Sequence, residues 1–209
     1  MTDTIFSVVT VDVVALTFDR DGRRVRFGVH RRPAPPFERE HALPGVVIHS
    51  GERLEAAARR ALGKLHLRAD PVALGQLRTF DEPSRDPRGP SLSVAMWAAY
   101  PSLLMGEDTG DSLWVEIGDP LVLAFDHTAI VATARELLPA LLWQDLAFTR
   151  GMTGERFTAT DAVAITRQLT GHEVHRANLN RDLARIPGLA EAGTAPGTGG
   201  RPPKMWTWV

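Results

Sequence analysis

Valine-rich alternation dominates the first hundred residues, and helical spacing takes over after residue 124. Residues 6–18 (FSVVTVDVVALTF) are rich in valine and threonine, which suit the pleated, half-buried surface of a strand. The turn residues Asp19-Arg20-Asp21-Gly22 follow, and 24–30 (RVRFGVH) alternate polar and apolar, so the two runs predict a β-hairpin. Residues 31–39 are proline-rich and read as a loop. A turn at Pro44-Gly45 leads into the apolar run 46–48; Gly51-Glu52 breaks it, and a helix is expected over 54–66. Residues 72–80 and 91–100 read as strands on either side of a polar loop, 81–89 (DEPSRDPRG), and 111–117 as a further strand. A helix opening at 124–127, with Asp126 as its N-cap, is expected to run to about 138, where Pro139 interrupts it. A connecting helix over 141–148 should follow.

The last sixty residues change character. Thr158, with Asp161 three positions on, marks a helix start, and the helix should continue to about 169. Gly171 makes a turn into a second helix over 174–186, with Leu179, Leu183 and Ile186 on one face. Pro187-Gly188 ends it, a small-residue tract covers 193–200, and 205–209 reads as a terminal strand. Helix, glycine turn, helix and a Gly-rich loop between strands is the outline of a winged helix-turn-helix. The expected organisation is α/β (α+β), with a mixed-sheet domain at 1–150 and a winged helix at 151–209.

Composition narrows the chemistry. The 209 residues contain no cysteine, which removes disulfides, thiolate catalysis and cysteine-ligated zinc. The histidines lack zinc spacing. The N-terminal run carries Asp3 and Asp12 and no basic segment, so it does not read as a signal peptide. No run of eighteen apolar residues suggests a membrane span, and a cytoplasmic protein is expected. Net charge is −1, yet residues 150–209 hold eight Lys and Arg against five Asp and Glu, an excess of +3. Such asymmetry suits a basic half that meets DNA.

Two segments carry a resemblance. The stretch from Ala42-Leu43-Pro44-Gly45 through Glu52, Arg60 and Leu62 resembles the Nudix box, a loop–helix–loop that holds magnesium against a pyrophosphate. The departures fall on the metal ligands: Ala61, Lys64 and Leu65 stand where the pattern has carboxylates, and Val46 and Leu67 where it has glycines. Mg²⁺ wants carboxylate and water oxygens, so a lysine there places charge of the wrong sign. Neither a metal site nor catalytic residues are expected. The segment Arg85-Asp86-Pro87-Arg88-Gly89, between Thr79-Phe80 and Ser93-Val94-Ala95, resembles a loop of Nudix proteins that handle ADP-ribose. Guanidinium forks on a proline-stiffened loop match phosphate geometry.

With the tail included, nearly the whole chain resembles the Nudix-related transcriptional regulators of NAD metabolism, the NrtR family. That resemblance implies a Nudix-like α/β/α sandwich followed by a winged helix, a sensor of ADP-ribose or a related nucleotide, and a homodimeric repressor of a palindromic operator in double-stranded DNA. Candidate ligand residues are Arg32, Phe37, Arg78, Phe80, Arg85, Asp86 and Arg88. Candidate DNA contacts are Arg176, Asn178, Asn180, Arg181 and Arg185 on the second tail helix, with Arg201 and Lys204 on the wing. In the major groove Arg reads guanine and Asn adenine. The family's recognition helix is more basic; Ala177, Asn180 and Asp182 remove positive charge here. His127 is read as a first-turn polar residue rather than a base. The competing class is a pyrophosphatase for ADP-ribose or a similar nucleotide, with a nonstandard metal site.

Overall fold

A computed structural model describes residues 7–101, 111–195 and 202–209. Its centre is β1 (Val8–Asp19), which pairs in parallel with β6 (Ser91–Tyr100) along its length. The other edge of β1 is divided. Its second half forms the expected antiparallel hairpin with β2 (Arg24–Arg31), while Thr10 to Asp12 pair with β4 (Gly45–Val47). The outer positions go to β3 (His41–Ala42) and β7 (Ser112–Glu116), both against β2, and to β5 (Ala73–Phe80) against β6. This makes a mixed seven-stranded sheet. Where β1 passes from one partner to the other, Asp12 and Gly45 face each other.

The period of two sorts β1 between two cores. Val11, Val13 and Ala15 join Met96, Ala98 and Tyr100 under α1 (Leu54–Leu62), whose Ala57, Ala58 and Ala61 let it lie close to the sheet. Val14, Leu16 and Phe18 join Ala95, Trp97 and Ala99 under α2 (His127–Leu141) and α3 (Leu146–Thr153). Asp12 and Ser93 share the parity of the second set, so they point toward α2.

Four sequence expectations are corrected. The first helix ends at Leu62 rather than 66: Gly63–Leu65 tighten into a 3-10 turn, and His66 is left-handed at φ 52°. Pro139 does not end α2, which continues to Leu141. The missing N–H falls in the last turn, and Leu138 and Leu142 anchor that turn in the core. The connecting helix starts five residues late, at Leu146, where Asp145 accepts the Phe148 amide. Asp126 occupies the N-cap position of α2 but its side chain caps nothing.

The tail is a winged helix. β8 (Arg156–Thr158), β10 (Lys204–Trp208) and β9 (Leu189–Thr194) form a three-stranded antiparallel sheet in that order. Thr158 and Asp161 make the predicted capping box of α4 (Ala159–Thr170), and Gly171 turns left-handed at φ 71°. The second helix, α5 (Arg176–Leu183), is shorter than the expected 174–186; Ile186 still packs against its core. Phe157, Ala162, Leu179, Leu183, Leu189, Trp206 and Trp208 fill that core.

Candidate functional site

A buried polar network lies where β1 changes partners. Asp12 accepts the Ser93 hydroxyl at 2.6 Å, and Arg85 Nη2 stands 3.4 Å from the same oxygen. Arg85 reaches the sheet from the 81–89 loop and forks onto Asp126 at 2.8 and 2.9 Å. This fork is why Asp126 does not cap α2: its carboxylate ties the loop to the helix instead. His127 sits in the first turn of α2, as the sequence suggested, and is buried there. Its Nδ1 accepts the Leu43 amide at 3.0 Å, which places the ring proton on Nε2, 3.4 Å from Asp12. Burial alone would raise the pKa of Asp12. The opposing pull of His127, Ser93 and Arg85 outweighs it and holds the carboxyl well below the usual range.

Over this network lies a pocket of about 290 Å³, which Arg32, Arg60, Lys64, Arg85 and Arg88 line with His30, His49 and His127. Two acids, Asp12 and Asp86, share the lining. Arg32 donates to the carbonyls of Pro36 and Ala34, and its guanidinium sits 4.6 Å over the Phe125 ring. Arg88 approaches the same ring at 5.5 Å and is held by both oxygens of Asp86. Phe37 meets Phe125 edge-on at 4.8 Å. From the 3-10 turn, Lys64 donates to the Gly45 carbonyl. Burial, followed by the charges of Arg32, Arg60 and Arg88, lowers the pKa of Lys64. His30 falls to about 4, through burial first and the Lys64 charge second.

The Nudix pattern implies a magnesium ion, and these residues do not fit one. Ala61 is buried on the sheet-facing side of α1 with Ala57 and Ala58, and Leu65 of the 3-10 turn is buried in the same core, so neither offers a ligand beside Lys64. The remaining box acid, Glu52, is bound by Arg60 through both oxygens and accepts the His49 amide. Those bonds hold its pKa near 2. Among the described residues no three His, Asp or Glu side chains stand together as metal ligands.

Of the seven ligand candidates, Arg32, Arg85, Asp86 and Arg88 come together at this pocket, and Phe37 reaches it through Phe125. Arg85 is buried and spent on internal ion pairs. Arg78 lies exposed on β5 and Phe80 packs against the core under α2 and α3, so neither lines the pocket. Asp12, His30, Lys64, Phe125 and His127 line the pocket without having been counted as ligand residues. The one signal available for Asp12 was an acid interrupting a valine run.

The second candidate surface is α5, which buries only Leu179 and Leu183. Arg176, Asn178, Arg181 and Arg185 are exposed. Arg176, Asn180, Arg181 and Lys204 border a groove of about 650 Å³ with Pro202 and Pro203. Several are engaged: Arg181 donates to Asn178, Asn180 accepts Trp206 Nε1 at 3.3 Å, Lys204 holds Glu191 at 2.6 Å, and Arg185 lies 3.6 Å from Asp182. Arg201 lies outside the described residues. Among the described residues no helix is long and apolar enough to cross a membrane.

Sheet, helices and winged tail define a Nudix-fold protein joined to a winged helix-turn-helix. No family model matches the chain. It is similar to the crystal structure of Shewanella oneidensis NrtR complexed with a 27mer DNA, at 25% identity and TM-score 0.80, over 96% of this chain and 93% of that one. The NUDIX domain of the same NrtR, complexed with ADP ribose, matches at 29% identity and TM-score 0.55, over 65% of this chain and 90% of that domain. A curated relative, the ADP-ribose pyrophosphatase of Methanocaldococcus jannaschii, is 30% identical over 103 residues, 48% of this chain. The match spans 60% of that enzyme. The chain is built as NrtR is, and the family resemblance read from its sequence stands.

Proposed function

We propose that the chain is a ligand-responsive transcriptional regulator, a repressor whose Nudix-like part, 1–150, senses ADP-ribose or a related nucleotide without cleaving it. Its winged helix, 151–209, reads a palindromic operator as part of a homodimer. The observation that carries this reading is the exposed face of α5, a helix held by two leucines with its arginines and Asn178 turned outward. It occurs on a chain similar over 96% of its length to an NrtR structure containing DNA. Arg176, Asn178, Asn180, Arg181 and Arg185 contact bases or phosphates, and Arg201 and Lys204 contact phosphates from the wing. Arg32, Arg85, Asp86 and Arg88 organise the nucleotide site, with Phe37 supporting Phe125. The cationic pocket and the apolar fate of Ala61 and Leu65 support sensing over hydrolysis.

A mobility shift with DNA from the chain's own upstream region tests the reading. A shifted band that ADP-ribose weakens, and that Arg181→Ala abolishes at moderate salt, is the expected result. No shift of any fragment at low salt would sink it. The hydrolase reading has support from the M. jannaschii enzyme. AMP release from ADP-ribose with Mg²⁺ or Mn²⁺, lost in Glu52→Gln, would establish that reading instead.

A further inference from the structure

Lys64 stands on a ridge between two hollows. The pocket of about 290 Å³ over Asp12 and a second of about 860 Å³ along the 31–39 loop share Arg32, Arg60, Lys64 and Arg88. Two of these cations are already balanced, Arg60 by Glu52 and Arg88 by Asp86. Arg32 and Lys64 are not: both donate to backbone carbonyls and neither forms an ion pair among the described residues. They are close enough that each charge opposes the other. An anion seated on the ridge relieves that repulsion, and in a half-buried site the gain is far larger than in water.

We infer that Lys64, with Arg32, supplies the counter-charge that a divalent cation gives in a Nudix site, so that this chain binds an internal diphosphate, carrying an organic group at each end, without metal. This rests on the nucleotide-sensing reading above and adds the charge state of the ligand and the residue that selects it. Three features argue for it. Lys64 replaces a carboxylate of the metal-binding pattern and points into the pocket, whereas Ala61 and Leu65 leave the site for the core. Hydrated Mg²⁺ favours oxygen ligands, and the one acid of the box pattern that remains, Glu52, is committed to Arg60. A ridge with space on both sides suits a diphosphate in the middle of a ligand better than one at its end.

Calorimetric titration of the full chain with ADP-ribose, ADP and inorganic pyrophosphate, each in EDTA and in millimolar Mg²⁺, tests this. ADP-ribose should bind equally well in both buffers and more tightly than ADP or pyrophosphate. Lys64→Gln should weaken ADP-ribose binding in EDTA roughly ten- to a hundred-fold, the scale of one charged hydrogen bond. Lys64→Arg, which keeps the charge, should recover most of it. Binding by the wild-type chain that requires Mg²⁺, ADP binding as tightly as ADP-ribose, or a folded Lys64→Gln protein with undiminished affinity would each overturn the inference while leaving the regulator reading intact. If no nucleotide binds although DNA still shifts, the sensing reading falls as well.

Discussion

The residue at the centre of the buried polar network is Asp12, which no catalytic or ligand motif marks. It is 5% exposed and meets Ser93, Arg85 and His127, each from a different element. Asp12→Asn keeps the shape but removes the charge that balances a buried guanidinium. Breaking a buried pair in this way costs about 3–5 kcal/mol. Urea unfolding should therefore show a drop of that order, and a loss below about 1 kcal/mol would mean that Asp126 alone satisfies Arg85. His30 makes the pH dependence. Its pKa is about 4 in the fold against an ordinary 6.5, so between those values the unfolded chain binds more protons. Its contribution is complete above pH 6.5 and is lost as pH falls toward 4. The melting temperature should fall through that window, and His30→Gln should flatten the slope; an unchanged slope would place the titration elsewhere. At this scale the sequence was partly legible. Arginines on a proline-stiffened loop drew attention to a segment that does line the pocket, but Arg85 is consumed by Asp126 and Asp12, a pairing that depends on strands and helices distant in the chain.

At the scale of elements, the central strands β1 and β6 were legible as apolar runs because both their faces are buried, and β2 was legible from the alternation of its first residues. Boundaries failed where tertiary packing outweighed local preference. Pro139 is carried inside α2 by leucines on either side of it, and the box helix tightens into a 3-10 turn at Gly63–Leu65 before its expected end. The capping box of α4 was read correctly because its signal is local: Thr158 accepts the Asp161 amide at 3.1 Å and Asp161 accepts the Thr158 amide at 2.9 Å. Thr158→Ala should cost about 1–2 kcal/mol, the usual loss for a helix cap. Since Thr158 also begins the turn from β8 into α4, thermal unfolding should show the loss and Thr158→Ser should recover it. Equal melting temperatures for wild type and Thr158→Ala would mean that packing alone sets the start of α4.

At the scale of the whole molecule, α4 belongs to two cores at once, and this ties the winged tail to the sheet. Ile165 and Leu169 pack with the residues under α2 and α3, while Ala162 packs with the wing core. Gln168 closes the seam: its amide oxygen accepts the Val25 N–H at 2.9 Å and its nitrogen donates to the Arg23 carbonyl at 2.8 Å. Arg20 reaches from the β1–β2 turn to the carbonyls of Thr153 and Arg156, and the Trp143 indole donates to Thr166 at 3.0 Å. From the sequence α4 was the first helix of a winged domain, since a residue pattern does not say how many neighbours a helix packs against. A helix fixed on both sides cannot swing free of the sheet without exposing Ile165 and Leu169. It should therefore open together with the sheet, whereas α5, held by Leu179 and Leu183, opens locally. Hydrogen exchange provides the measurement. Peptides spanning α4 should be protected to the same free energy as those spanning β1, and α5 should exchange faster. Ile165→Ala, which removes a fully buried side chain, should lower protection in α4 and β1 together by about 2–5 kcal/mol. If α4 instead exchanges with α5, and Ile165→Ala leaves β1 untouched, the winged helix is an independent body and the rigid connection through α4 is wrong.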